Sequence, residues 1–400
     1  MPGFEIFGDE EKREVLQVLE SGVLFRYGFE GQRGEQWKVR RFEEAFARYT
    51  GASHAQAVTS GTAALKVALM ALGVGAGDEV ITQGFTFAAT WEAILDCGAV
   101  PVFTEIDQTL NMDPADLEKK ITPRTKAIIP VHMMGAPARI EEIVAIAGKR
   151  GIAVIEDTAQ AAGARLHGRH LGTFGAIGTF SFDSVKTMTT GEGGMCICND
   201  AALWQRMDQY HDHGHDHLPN PGGRGGEGRS FIGFNYRMME IQGAIGLAQL
   251  AKLDDMITAQ RHNKNILRKA AAAIPGVTFR DLPDPAGDSA TFLTFLLPDK
   301  AKADAVADAL RSAGAPAIRW SENTWHYYPN WEHLLEGKSP SSDGWPFSLN
   351  GKRRYVYDPK ALPKTVAILE RSLTYQVPVR FAPEQETAIC SALAQAARAI

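Results

Sequence analysis

Short apolar runs and stretches of helical period take turns along this chain from about residue 55 onward. Val80-Ile81-Thr82 reads as a strand, and residues 90–96 follow it with helical spacing. Residues 101–106 predict a strand and 113–121 a helix. Residues 127–131 predict a strand, 140–149 a helix and 153–156 the next strand. Such alternation predicts a mostly parallel sheet with helices on both faces. Sheets of that kind bind ligands at the carboxyl ends of their strands, and Asp157 falls at such an end.

Residues 238–260 predict one long amphipathic helix, because Ile241, Ile245, Leu247, Leu250, Leu253 and Ile257 recur at helical spacing. The character then changes. Residues 291–297 read as a strand, 302–312 as a helix and 315–320 as another strand, with 385–399 as a closing helix. The expectation is an N-terminal arm and large domain over residues 1–260 and a smaller α+β domain over 261–400. Residues 217–229, rich in glycine, and roughly 337–364 lack clear periodicity and read as long loops, which are often functional.

At 400 residues the chain exceeds the size at which one core stops growing, which agrees with two domains. With 44% hydrophobic and 22% charged residues it can build a full core without staples. A net charge of −5 argues against a nucleic-acid footprint. The longest apolar runs are too short to span a bilayer, and the N-terminus does not read as a signal peptide. Cys97, Cys196, Cys198 and Cys390 are few and scattered. Cys196 and Cys198 would share one face of a strand, which suits core packing better than a zinc pair. A reduced, cytoplasmic enzyme without membrane or nucleic-acid partners is expected.

The candidate chemistry centres on Lys186, which follows Phe180-Ser181-Phe182-Asp183 and precedes Gly191-Glu192-Gly193-Gly194. A bland reading makes it a solvated surface cation. Its company favours another. Ser60-Gly61-Thr62 opens a helix whose N-terminus suits a phosphate, although a plain N-cap explains Ser60 nearly as well. An amine, an acid at a strand end and a helix N-terminus together match the aldehyde, ring nitrogen and phosphate of pyridoxal phosphate. Lys186 would form a Schiff base and later shuttle a proton. The acid could be Asp157 or Glu156; strand alternation puts them on opposite faces, so only one can face the ring. Phe87 could stack on a flat ring or simply pack in the core.

The order of Ser60-Gly61-Thr62-Ala63-Ala64-Leu65, Phe85-Thr86-Phe87-Ala88-Ala89-Thr90, Glu156-Asp157-Thr158-Ala159-Gln160-Ala161, Lys186 with Gly191-Glu192-Gly193-Gly194, and Gly233-Phe234-Asn235-Tyr236-Arg237-Met238 resembles the DegT/DnrJ/EryC1/StrS family. The likeness covers nearly the whole chain. It implies the aspartate-aminotransferase-like α/β fold (fold type I), with a large domain around a mixed, mostly parallel sheet and a smaller α+β domain. It implies a pyridoxal 5′-phosphate-dependent sugar aminotransferase with Lys186 as the Schiff-base lysine and Asp157 on the ring nitrogen. Gln160 would approach the ring hydroxyl and Phe87 would stack on the ring. Gly61, Thr62 and Ser181 would bind the phosphate, and Asn235 would reach it from the partner of a homodimer with shared sites. Arg237 would hold the amino donor's carboxylate. Thr158 stands where the family usually has Ala. A dehydratase of the same family would have His in place of Lys186, and a non-catalytic regulatory relative would have no need of Lys186 and Asp157.

Within the family, the segments 211–217, 282–290 and 323–328 are similar to aminotransferases that put the nitrogen of L-glutamate on C8 of an oxidised octulosonate (Kdo), a free sugar acid of lipopolysaccharide. The alternative acceptor is a 4-keto or 3-keto hexose carried on a nucleotide, and glutamine is the alternative donor. A carboxylated acceptor needs a cation, for which Arg26, Arg229, Arg237 and Arg319 are candidates; His215 and His326 are further candidates for the substrate. His211, His213, His215 and His217 would share one side of a strand. Because pyridoxal phosphate chemistry needs no metal, a hydrogen-bonding loop is expected there and no metal.

Overall fold

The computed structural model describes residues 2–217, 228–350 and 355–398. Its strands are β1 (His54–Val58), β2 (Glu79–Gln83), β3 (Val100–Thr104), β4 (Thr125–Ile128), β5 (Ala153–Asp157), β6 (Arg165–Leu166), β7 (Arg169–His170), β8 (Ile177–Ser181), β9 (Gly194–Cys198), β10 (Thr278–Phe279), β11 (Phe292–Leu296) and β12 (Ser372–Gln376). Seven of them form one sheet in the order β1-β9-β8-β5-β4-β2-β3. Strands β3, β2, β4, β5 and β8 run parallel, and β9 runs antiparallel to both β8 and β1. The expected mixed, mostly parallel sheet of fold type I is therefore present.

Both faces of this sheet are covered, and strand alternation shows how. Ala127, Ile129 and Ile155 pack into one cluster with helix Gly61–Ala71 and with Met207 and Tyr210 of helix Ala201–His211. Ile128 and Val154, one residue out of step, pack on the other face with Ile140, Ile143 and Ala147 of helix Ile140–Gly148. Helix Gly61–Ala71 is apolar nearly all round, as a helix enclosed between a sheet and another helix must be. Cys196 and Cys198 lie buried in the same core, and burial pushes both thiols up, Cys198 to about 11.

A second, antiparallel sheet has the order β10-β11-β12. Leu293, Phe295 and Leu373 of its strands bury against Val306 of helix Lys300–Ser312 and Leu393 of helix Pro383–Arg398. The terminal helix expected over 385–399 is thus present.

Two expectations need correction. The single helix over 238–260 is two helices, Glu240–Leu250 and Leu253–Ala271. The chain turns at Ala251 and Lys252, and Lys252 Nζ reaches Glu10 at 3.0 Å and Glu11 at 2.8 Å. The apolar stripe keeps its period across the turn, so the pattern does not register it. The second helix also runs through the domain boundary expected at 260. Residues 315–320 are not a strand. Only Ile318 pairs, through one bridge to Thr374, before the turn Trp320–Glu322. Pro316 has no N–H to give a ladder. The loop expected over 217–229 lies mainly outside the described residues.

Candidate active site

A cavity of about 300 Å³ opens where β5 and β8 end and where the chain leaves β2 and β4. It is the place at which a parallel sheet exposes strand-end backbone and side chains to a ligand. Lys186, Asp157 and Gln160 line it, as do Gly61 and Thr62, Phe87 and Ser181. Four segments distant in sequence, 61–62, 87, 157–160 and 181–186, thus supply these residues. His326, from the far side of the small sheet's sequence, closes it.

Helix Gly61–Ala71 presents its N-terminus here. Ser60 is its N-cap, accepting the Ala63 N–H at 3.0 Å, so the plain capping role exists beside any other. Gly61 faces Ser181 so closely that a Cβ on it would lie 2.6 Å from the Ser181 Cβ. Only glycine leaves this entrance open, and the next N–H groups of the helix carry the positive end of its dipole. Phe87 stacks on Trp325 with ring centroids 5.5 Å apart and planes 8° apart. Lys186 Nζ stands 5.9 Å from the Phe87 ring centre.

The structure separates the two neighbouring acids. Asp157 follows the parity of Ile155 and lines the cavity. Burial pushes its carboxyl up, against the Ala159 N–H on Oδ1 at 3.1 Å and the Thr90 hydroxyl on Oδ2 at 2.8 Å. Glu156 follows Val154 to the other face. There it takes the N–H groups of Gly172 (2.8 Å), Phe174 (2.6 Å) and Gly175 (2.7 Å) and meets His132 Nε2 at 3.0 Å. Because His132 Nδ1 accepts the Ala138 N–H, its Nε2 is the nitrogen that carries the proton toward Glu156. Glu156 is therefore tied into the fold with no atom toward the cavity.

Lys186 is the one cation lining the cavity among the described residues. Burial pulls its amine down, opposed by Asp183 and Asp157. A lysine so placed is nearer to the neutral, nucleophilic form than a surface lysine. His326 is pulled down by burial and then by Lys186 to about 3. Its Nδ1 lies 3.0 Å from Asn323 Oδ1, an acceptor, so the proton sits on Nδ1 and Nε2 is left as an acceptor. Gln160 Oε1 is held by the Met134 N–H at 2.8 Å, which leaves its amide NH₂ to donate.

The remaining candidates are elsewhere in this chain. Asn235 bridges to Asp212 and accepts the Arg237 N–H at 3.3 Å, outside the cavity. Arg237 pairs with Asp212. Arg26 is buried against Glu43 at 2.9 Å and the Ala57 carbonyl at 3.2 Å, and it takes no part in the cavity. Arg319 pairs with Asp304 and Glu322, and Arg229 donates to the Gly228 carbonyl at 3.1 Å. The four histidines do not share a strand. His211 ends a helix, His213 has φ +54° in the turn that follows, and His215 pairs with Arg229. Asp212, His215 and His217 each bring one possible ligand atom within 4.8 Å of the others. Asp212 is already shared between His217 at 3.0 Å and Arg237, and His217 also meets Asp208 at 2.6 Å. Burial works against the charged imidazole, yet these two carboxylates push His217 up to about 9. The cluster thus neutralises itself.

Sequence reasoning passed over Thr86 and Thr90, which line the cavity floor, and Met133, Phe292, Ile318 and Trp320, which form an apolar wall opposite. Threonines before and at a helix start and apolar residues of turns and strands carry no local mark of a site.

A profile of the DegT/DnrJ/EryC1/StrS aminotransferase family matches residues 6–346. The chain belongs to that family. It is 42% identical over 240 residues to GDP-perosamine synthase of Escherichia coli O157:H7, covering 58% of this chain and 62% of that protein. It is 41% identical over 285 residues to L-glutamine:2-deoxy-scyllo-inosose aminotransferase of Micromonospora echinospora, with 68% and 67% covered. The solved aminotransferase of Psychrobacter cryohalolentis is similar over 96% of each chain, at 29% identity and a TM-score of 0.82. The cofactor of this DegT/DnrJ/EryC1/StrS aminotransferase is pyridoxal 5′-phosphate. The cavity fits it. Gly61 clears a helix N-terminus for a phosphate, Asp157 offers an acid from a strand end, and Lys186 offers an amine between them.

Proposed function

We propose that this chain moves the amino group of L-glutamate onto a carbonyl carbon of a sugar, and that the sugar is a keto hexose carried on a nucleotide. The observation that carries the transfer is the meeting of Lys186, Asp157 and the Gly61 helix end in one cavity at the sheet's carboxyl edge. Pyridoxal phosphate supplies an electron sink for the carbanion formed at the substrate carbon. Lys186 would hold the cofactor through its aldehyde. Its amine, when free, would take the proton from the donor's α-carbon. Asp157 keeps the ring nitrogen protonated. Gly61, Thr62 and Ser181 would hold the phosphate, Gln160 would donate to the ring hydroxyl, and Phe87 would stack on the ring.

The acceptor class follows the relatives. One is named for a GDP-linked amino sugar and another for an inosose, and neither is named for an octulosonate. That supports the keto-sugar nucleotide above the free sugar acid suggested by segments 211–217, 282–290 and 323–328. A glutamine donor is the variant reading, after the second relative's name.

The working unit is a homodimer. Asn235 reaches the phosphate in the partner's cavity, on a segment that the Arg237–Asp212 pair and the Asp212–Asn235 bridge hold in place. Ile232 (85% exposed), Phe234 and Met239 beside them form an apolar surface that suits a second copy. Sedimentation showing an active monomer would contradict this.

The test offers glutamate with a 4-keto hexose nucleotide or with 8-oxo-Kdo at matched concentrations and follows 2-oxoglutarate. Faster turnover of the nucleotide sugar is expected. Faster turnover of 8-oxo-Kdo would restore the octulosonate reading. Lys186→Ala should remove turnover with every acceptor and the visible absorbance of the bound cofactor. Retention of both would sink the aminotransferase reading itself.

A further inference from the structure

We propose that the hydroxyls of Thr86 and Thr90 are positioning groups that hold the Asp157 carboxylate ionised and turned toward the cofactor's ring nitrogen. The inference rests on the aminotransferase reading above and deepens it at one acid. Thr90 Oγ1 stands 2.8 Å from Asp157 Oδ2, and Thr86 Oγ1 stands 2.8 Å from Thr90 Oγ1. Both threonines are buried, so no solvent shares these contacts.

Each hydroxyl has one proton to give, and the Ala159 N–H on Oδ1 leaves Oδ2 as the oxygen to carry any acid proton, so the row of three side chains has two orders. In the first, Thr86 donates to Thr90 and Thr90 donates to an ionised Asp157. In the second, a protonated Asp157 donates to Thr90, Thr90 donates to Thr86, and Thr86 needs an acceptor of its own. The Phe87 carbonyl stands 3.5 Å from Thr86 Oγ1, well beyond the 2.5–3.0 Å of a good O–H···O bond. The first order satisfies every group. The second strands a hydroxyl in the interior, which is costly. The row therefore favours the ionised acid, against the burial that favours the neutral one.

It also fixes direction. Oδ1 takes the Ala159 N–H at 3.1 Å, a backbone donor that only proline at this position would remove. With Ala159 on one oxygen and Thr90 on the other, rotation of the carboxylate is closed. Lys186 acts on Asp157 and favours its ionised form, while His132 turns its Nε2 proton to Glu156. Neither constrains the carboxylate plane as Thr90 does.

The test compares Thr90→Val, which keeps the shape and removes the hydroxyl, with Thr90→Ser, which restores it. Each enzyme is loaded with pyridoxal phosphate labelled with ¹⁵N in the ring, and the nitrogen is followed by NMR as pH rises. Thr90→Ser is expected to hold the ring proton as the unsubstituted enzyme does. Thr90→Val is expected to pass the ring proton toward Asp157, so that its ring nitrogen reads as less protonated than the unsubstituted one across the pH range. Its kcat should fall about 10- to 100-fold, while KM for glutamate stays within about threefold. Thr86→Val should move the nitrogen in the same direction by less. A Thr90→Val enzyme whose ring nitrogen titrates like the unsubstituted one overturns the proposal even if turnover is low, because a merely structural role would also lower turnover. If Thr90→Val does not fold, an unshifted nitrogen in Thr86→Val overturns it instead. An unsubstituted enzyme that binds no cofactor at Lys186 overturns the aminotransferase reading, and this proposal with it.

Discussion

The strand-end cavity and the surface running from Asp208 to Arg237 are both rich in ionisable side chains, and they treat charge in opposite ways. In the cavity, burial outweighs the neighbours. Lys186 is pulled down, Asp157 is pushed up, and His326 stays neutral with its pKa at about 3. On the surface, partners outweigh burial. His217 is pushed up to about 9 between Asp208 and Asp212, and the Asp212 carboxyl is held well below its ordinary value by His217 and Arg237. A lysine pulled toward its neutral form can exchange protons with a substrate. Groups committed to one another hold a shape. The contrast assigns chemistry to the first region and geometry to the second, where the bridge between Asp212 and Asn235 fixes the segment proposed to enter a partner's cavity.

The sharpest way to break the contrast is to compare Asp157→Asn with Glu156→Gln. Asp157→Asn should cut turnover by about 100-fold or more with the cofactor still bound, a loss on the scale of a missing preorganised charge. Glu156→Gln should leave turnover within about threefold and cost about 2 kcal/mol of stability or more, because two of its four donors face an NH₂ group in place of an oxygen. Steady-state kinetics and thermal unfolding read the two effects apart. A larger kinetic loss for Glu156→Gln than for Asp157→Asn would transfer the role to Glu156.

Gly61→Ala should come next. The added Cβ would lie 2.6 Å from the Ser181 Cβ, so the helix N-terminus must withdraw from the phosphate position. Cofactor affinity should drop about tenfold or more, equivalent to roughly one lost hydrogen bond to a charged group. Spectrophotometric titration of the cofactor-free protein measures this. Unchanged affinity would move the phosphate away from this helix.

The smallest effect belongs to the surface. The folded pKa of His217, about 9, lies above its ordinary value of 6.5. Its contribution to stability is therefore complete below pH 6.5 and is lost as pH rises through about 9. Hydrogen exchange in residues 212–216 and 235–237 should quicken over that interval, after correction for the intrinsic pH dependence. His217→Gln should remove the excess. An equal quickening in that variant would mean that another group carries the surface.

The alternation of apolar runs and helical periods was enough to predict the parallel sheet, because each element's pattern is local and its burial follows from it. The cavity's chemical residues were legible too: Lys186 beside its glycine turn, an acid at the end of β5, and Ser60-Gly61-Thr62 at a helix start. Strand parity even showed that Asp157 and Glu156 must part company. It could not show which faced the ligand, since that depends on which side of the sheet receives helix Gly61–Ala71 and its open end. The turn at Ala251–Lys252 was hidden because the apolar stripe continues through it in phase.

Arg26 and Arg237 illustrate the limit from the other side. Both looked available for a carboxylate, yet Glu43 and Asp212 claim them, and such pairings arise only once distant segments pack. Thr86 and Thr90 were invisible for the same reason. Nothing local marks them, and their hydroxyls gain meaning only where the end of β5 brings Asp157 within 2.8 Å. By itself, then, the sequence determined which groups have suitable chemistry and which elements carry them, because both depend on side-chain type and short spacing. Only the tertiary structure decided which acid faces the cavity, which cations are already paired and which hydroxyls orient the acid. Each of those depends on distances between segments that no local pattern encodes.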